Sequence, residues 1–321
     1  MWRMANTEEG ASRSSWSLGF RSRPEFGVIG IRGFLAFLAV LSIGVLPPLA
    51  SAQDRFFDAG GVPIRYVDQG AGTPVVLVHG YTSQIERAWI ETGVLPNLSK
   101  DHRVIALDLR GHGKSDKPHD PKSYAELSQD VIRLLDYLHI ARAHIVGYSL
   151  GGQITAKLLT TNPDRFITAT LGGSSGRRGW TAQDDRDGEA AAAELEHGVP
   201  YRSLILGIAP ADQPLLNDEE VRQFSRALVA TNDPLAHAAL MRSLRGLVVS
   251  NDQTAAVQVP TLAVVGSADR ALKGVNALAA VWPALKVVII DGATHANSTG
   301  RGAAARPEFV NAIREFIVAH I

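Results

Sequence analysis

A chain of 321 residues, 45% apolar and 20% charged, is long enough for one large α/β domain with an insertion, or for two modest domains. Lys plus Arg and Asp plus Glu both number 32, so no global charge field points to nucleic acid or to acidic lipid. Cysteine is absent, which removes disulfides, thiolate zinc sites and a cysteine nucleophile from consideration.

The first 52 residues read as a leader. A basic stretch, "RSSWSLGFRSR" and then Arg32, precedes the apolar run "FLAFLAVLSIGVL". Ala50 and Ala52 follow in an A-x-A pattern. This is the layout of a secretory signal cut after Ala52. The run is short for a membrane span of about 20 residues, so an uncleaved anchor is the lesser alternative. "RR" occurs only at 177–178, far from the leader, which favours general secretion. The expectation is a periplasmic or extracellular protein.

From residue 53 strand and helix patterns alternate. "VPIRYVDQG" reads as a strand with a turn. "PVVLVHG" and "HRVIALDLRGHG" are continuous apolar runs, as in a sheet covered on both faces. "YAELSQDVIRLLDYLHI" puts Leu127, Val131, Leu134 and Leu138 on one face of a helix. "AHIVGYS" is a strand, residues 150–162 a helix and "FITATLGG" a strand. After a gap come strand "TLAVVGS", helix "GVNALAAVWPA", strand "LKVVIIDG" and helix "RPEFVNAIREFIVAHI". The alternation predicts a mostly parallel sheet flanked by helices. It lapses over 172–258, a polar, alanine-rich stretch with amphipathic pieces such as "EEVRQFSRALVA". We read 172–258 as a helical lid insertion and 53–171 plus 259–321 as the core. On this reading the sheet needs nothing from the insertion.

"GYSLGG" at 147–152 carries the chemistry. G-x-S-x-G between a strand and a helix is a nucleophile elbow. Ser149 sits on a tight turn, Gly147 and Gly151 leave room for the neighbouring backbone, and the following helix aims its positive end at the reacting carbonyl. Serine needs a base, and the base needs an orienting acid. Asp269 follows the strand "TLAVVGS" and His295 follows "LKVVIID", both at strand carboxyl ends. The backbone N–H groups of Tyr81, after "VHG", and of Leu150 are the candidate oxyanion hole. Other residues read as structural. These are His79, Asp108, Arg110, His112 and Ser115, the solvated "DDRD" run at 184–187, and Trp89. Trp180 and Tyr148 are the weaker pocket candidates.

"VVLVHGYTS", "RVIALDLRGHGKSDKP", "HIVGYSLGG", "PTLAVVGSAD" and "DGATH" together resemble the α/β-hydrolase fold superfamily, most closely its single-domain serine esterase and haloperoxidase-like branch. The resemblance covers about 56–171 and 259–321. It implies Ser149 as nucleophile, His295 as base, Asp269 as acid, and the Tyr81 and Leu150 amides as the hole. Serine at the elbow argues against dehalogenases and epoxide hydrolases, which carry aspartate there. Thr294 stands directly before His295, where many relatives have glycine. The expected activity is hydrolysis of a small carboxylic ester or lactone. Carbon–carbon bond hydrolysis, cofactor-free perhydrolysis and a ligand-binding module keeping the pocket are the alternatives. No cofactor, metal or nucleic-acid partner is expected. The partner is a small-molecule substrate, with no stable membrane association once the signal is cleaved.

Overall fold

The computed structural model describes residues 53–296 and 301–320. The expected signal segment, 1–52, lies outside them. Eight strands form one sheet in the order β1-β2-β4-β3-β5-β6-β9-β10. The strands are β1 (Arg55–Asp58), β2 (Pro63–Gln69), β3 (Pro74–Val78), β4 (Arg103–Leu107), β5 (Ala143–Tyr148), β6 (Phe166–Gly172), β9 (Thr261–Gly266) and β10 (Lys286–Ile290). β1 pairs antiparallel with β2, and β2 antiparallel with β4. Every pairing from β4 to β10 is parallel.

Residues of one strand serve two cores because successive side chains point to opposite faces. Val76 and Val78 of β3 pack with α2 (Gln129–Tyr137), α3 (Leu150–Thr161) and α9 (Leu272–Val281), through Val131, Leu134, Ile154, Leu158, Val275 and Leu278. Val75 and Leu77 pack the other way, against α1 (Val94–Leu98) and α10 (Pro307–Val318), through Leu95, Leu98, Phe309 and Ile313. Helices on both faces explain the unbroken apolar text of β3, β4, β5 and β9. Trp89 lies fully buried in the second core, as its structural reading requires.

Two expectations need adjusting. β1 is absent from the sequence-level reading because it is four residues long and buries only Phe57. α2 begins at Gln129, five residues after the start of its periodic text. Pro121–Tyr124 form a separate 3₁₀ turn capped by the Asp120 side chain.

The segment between β6 and β9 is largely helical: α4 (Ala182–His197), α5 (Arg202–Gly207), α6 (Asp218–Val229), α7 (Pro234–Ser243) and α8 (Asn251–Ala255). Capping boxes start α4 (Thr181 with Asp184) and α6 (Asn217 with Glu220). The "DDRD" run thus starts in the first turn of α4, where Asp184 and Asp185 suit the helix dipole. A two-residue parallel ladder, β7 (Arg177–Arg178) with β8 (Val248–Val249), ties the two ends of the segment together.

Part of this segment packs on the sheet's own core. Ala239 and Leu240 of α7, with Leu244 and Leu247 just beyond it, belong to the same buried cluster as Val76 and Val78. Each of these leucines contributes about 1.5–3 kcal/mol by burial. Helices α4, α5 and α6, with Ala238 of α7, form a small core around Leu195, Tyr201, Ile205 and Val221.

Candidate active site

Ser149 links β5 to α3 with φ 54° and ψ −112°, a conformation that costs a non-glycine residue energy. Its neighbours make the turn feasible. A Cβ on Gly151 would lie 1.9 Å from the Val78 carbonyl oxygen, and one on Gly147 would lie 2.1 Å from that of Gly151. Any larger residue at either position would push β5, α3 and β3 apart, so glycine is required by contact on both sides of the serine.

The parallel order β5-β6-β9-β10 brings the loops after β5, β9 and β10 to one edge of the sheet. His295 Nε2 lies 2.9 Å from Ser149 Oγ, and His295 Nδ1 lies 2.8 Å from Asp269 Oδ2. Asp269 is buried, and its Oδ1 accepts from the Ala271 N–H at 2.8 Å, so one oxygen anchors the carboxylate and the other faces the imidazole. The histidine loop is pinned too. Thr294, the departure from glycine, is buried, and its hydroxyl donates to the Ala296 carbonyl at 2.9 Å. Its backbone bonds Arg301 and Ala303. Tyr148 Oη donates to the His295 carbonyl at 2.6 Å, with its ring 5.5 Å from the imidazole. A serine, an imidazole and a carboxylate in this chain of contacts can pass a proton from the hydroxyl to the imidazole and stabilise the cation formed.

Leu150 is the first residue of α3, so its N–H has no partner within the helix. The Tyr81 N–H takes no backbone partner among the described residues. Tyr81, Leu150 and Ser149 line one cavity together.

The Tyr81 ring leans on the segment between β6 and β9. Its centroid is 4.7 Å from that of His237 on α7 and 6.2 Å from that of Tyr201. His237 in turn stacks on His112 at 4.3 Å and takes part in a 3.0 Å bond between its Nδ1 and Tyr201 Oη. His79 is structural, as read: its Nδ1 donates to the Gly80 carbonyl (2.8 Å) and its Nε2 accepts from the Leu109 N–H (3.0 Å). These imidazoles are buried, and burial holds His79 below the usual histidine range, His112 well below it and His237 down to about 3. All are neutral at pH 7. The Tyr81 hydroxyl is pushed well up by the same burial.

Asp108 and Arg110 are structural but do not pair with each other. Asp108 bonds the Ile85 and Lys114 N–H groups and the buried Arg65 guanidinium, while Arg110 pairs with buried Asp130. Ser115 donates to the Asp108 carbonyl at 2.6 Å.

Two chambers meet at Ser149. The smaller, about 230 Å³, is lined by Gln153, Arg177, Glu194, Tyr201, Ser203 and Met241 among others. The larger, about 530 Å³, is mostly apolar, with Tyr148, Ile205, Ile208, Phe224, Leu228 and Ala305 in its wall. Tyr148 lines the larger chamber. Trp180 does not: it is not among the lining residues of either chamber. Its indole donates to Asp185 at 2.7 Å and backs the Arg177 guanidinium, 5.4 Å from the ring. Sequence reasoning missed Arg177, Glu194, Tyr201 and His237. Only Arg177 left a trace in the text, as a charge between glycines just past a strand end.

Comparison with known proteins identifies the family. The family model described as the alpha/beta hydrolase fold matches residues 73–298, and the chain belongs to that family. The chain is similar to a 2-hydroxy-6-oxo-6-(2'-aminophenyl)hexa-2,4-dienoic acid hydrolase of Metapseudomonas resinovorans. They are 30% identical over 232 residues, or 68% of this chain and 75% of that one. It is also similar to the dihydrolipoyllysine-residue acetyltransferase component of an acetoin cleaving system of Pseudomonas putida, 32% identical over 192 residues. That match covers 59% of this chain and spans less than half of the relative, 46%. Among solved structures, Est816, described as an N-acyl homoserine lactone degrading enzyme, aligns with a TM-score of 0.64 at 27% identity. The alignment covers 82% of this chain and all of that one.

Proposed function

We propose that this hydrolase cleaves a carboxylic ester or lactone of a small molecule through an acyl-enzyme on Ser149. The observation that carries the reading is the unbroken contact chain from Ser149 Oγ to His295 to Asp269. The Ser149 oxygen attacks the acyl carbon as His295 Nε2 takes its proton. The negative oxygen of the tetrahedral intermediate is held by the Tyr81 and Leu150 N–H groups. His295 returns the proton to the leaving oxygen, and water then hydrolyses the acyl-serine by the same route. Asp269 fixes the imidazole tautomer and stabilises its charged form. The likeness to Est816 supports the ester and lactone class.

A second reading is carbon–carbon bond hydrolysis of a dienoate on the same residues. The similarity to the hexadienoic acid hydrolase is the observation that favours it. We further infer that the chain is exported by general secretion and that the mature protein begins at Gln53. The leader pattern of residues 1–52 supports this. No helix among the described residues is long and apolar enough to cross a membrane.

A panel of 4-nitrophenyl esters of increasing chain length, with an acyl lactone and a ring-cleavage dienone alongside, tests the reading. Turnover of esters or lactones above the dienone supports it. Turnover of the dienone alone transfers the assignment to carbon–carbon hydrolysis. Inertness towards all of them, with tight binding of one, makes the protein a binder.

A further inference from the structure

The smaller chamber carries Arg177, Gln153, Glu194 and Ser203 among its lining residues. Arg177 comes from β7, where the ladder with Val248 fixes its backbone. Its side chain is partly buried and its guanidinium rests on Trp180. Among the described residues its side chain makes one hydrogen bond, from Nε to Gln153 Oε1 at 3.2 Å. No carboxylate among the described residues lies within ion-pair distance of it. A guanidinium has five N–H donors, so four are left over, and the Gln153 amide adds its own NH₂ on the same wall. Asp184 acts on this guanidinium electrostatically from beyond ion-pair distance, but the loss of water on burial is the larger effect. Burial accordingly lowers its proton affinity.

The chamber's carboxylate, Glu194, is already engaged. Both of its oxygens accept from the Ser203 N–H, at 3.0 and 3.2 Å, and one accepts from the Ser203 hydroxyl at 2.7 Å. Glu194 thus has its hydrogen bonds filled by Ser203, whereas most of the Arg177 donors on the cavity wall are open. The other side of Ser149 opens into a chamber more than twice as large and mostly apolar. A substrate whose carbonyl sits at Ser149 must send one limb each way.

Resting on the ester and lactone reading above, we propose that the smaller chamber is a carboxylate subsite. Arg177 and Gln153 receive the anionic limb of the substrate, and the apolar limb fills the larger chamber. The substrate class is then an ester or lactone with a carboxylate on one short limb and a hydrocarbon on the other. The carboxylate accepts two parallel N–H bonds from Arg177, the geometry that guanidinium and carboxylate share. Trp180 keeps the guanidinium plane in place by stacking on it. Glu194, on the facing wall, holds Ser203 and excludes a second anion.

Two matched substrate pairs test this without presuming which limb is acyl. One is 4-nitrophenyl hydrogen glutarate against 4-nitrophenyl valerate. The other is 4-carboxyphenyl butyrate against 4-carbamoylphenyl butyrate. The readout is the ratio of kcat/KM for the anionic over the neutral member. The native enzyme should favour the anionic member in one pair. Arg177→Gln should cut that ratio by about 10- to 100-fold, mainly through KM, with Arg177→Lys falling between. Glu194→Gln should raise the ratio by removing a like charge from the chamber. A ratio near one in both pairs for the native enzyme overturns the subsite, and so does an equal loss on both members in Arg177→Gln. Turnover of the neutral esters and capture of Ser149 by a fluorophosphonate report the ester-hydrolase reading separately. Either proposal can therefore fail without the other.

Discussion

His237 on α7 stacks against Tyr81, the residue whose backbone N–H is the expected oxyanion donor, with ring centroids 4.7 Å apart. The helical segment thus contacts the residue proposed as an oxyanion donor. His237→Ala would leave the Tyr81 ring a void to move into. We expect kcat on a short 4-nitrophenyl ester to fall about 10-fold or more with a smaller change in KM, as for loss of aim at one donor. The measurement is a full kcat and KM determination beside a melting curve. Unchanged kcat in a folded variant would show that the loop holds Tyr81 without help.

Asp269→Asn keeps the Oδ1 contact to the Ala271 N–H but offers the imidazole an amide in place of a carboxylate. The fold should be retained, since shape is conserved. kcat should drop by about 10⁴-fold because the imidazole loses the partner that sets its tautomer. Near-native activity in this variant would mean that another carboxylate orients His295.

Acid should unfold the protein through its buried imidazoles. His237 and His144 are held neutral by burial, down to about 3 and about 4 respectively, and His79, His102 and His112 are also lowered. In the unfolded chain these groups take up protons near pH 6.5. Between about pH 6.5 and 4 the unfolded state therefore binds more protons, and stability falls as pH falls. Each such group adds a slope of up to about 1.4 kcal/mol per pH unit. Urea midpoints from pH 7.5 to 4.5 measure it. His144→Gln, which can keep a bond to Thr168, should flatten the slope. An identical slope in the variant would place the proton uptake elsewhere.

Gly151→Ala tests the packing behind the elbow. The added methyl would meet the Val78 backbone at 1.9 Å, and backbone yields less readily than a flexible side chain. A loss of about 2–3 kcal/mol, with activity lost faster than stability, is expected. A variant as stable and active as the parent would mean that β3 and α3 can part freely.

The sheet, its parallel core and the Ser149, Asp269 and His295 trio were legible because each is written locally. Apolar runs mark strands buried on both faces, and the elbow's glycines are required by contacts within six residues or across one strand pair. The short hairpin strand Arg55–Asp58 was not legible, since a single buried Phe57 makes no pattern. Trp180 was misplaced because an indole near a glycine turn looks the same in text whether it faces a cavity or backs an arginine. His237 was invisible. It meets Tyr81, 156 positions earlier in the chain, only through the folding of α7 onto the sheet. Leu240, Leu244 and Leu247 carry helical spacing, but nothing local tells which core they join.

Site-resolved labelling with a fluorophosphonate is the most direct test of Ser149 as nucleophile. The native protein should be labelled once, at Ser149, with loss of ester turnover in step with labelling. Ser149→Ala should take up no label and keep only the acceleration given by the oxyanion donors and binding, about 10³-fold over water. Label found on another residue, or full turnover by Ser149→Ala, would contradict the assignment of the reaction to this serine.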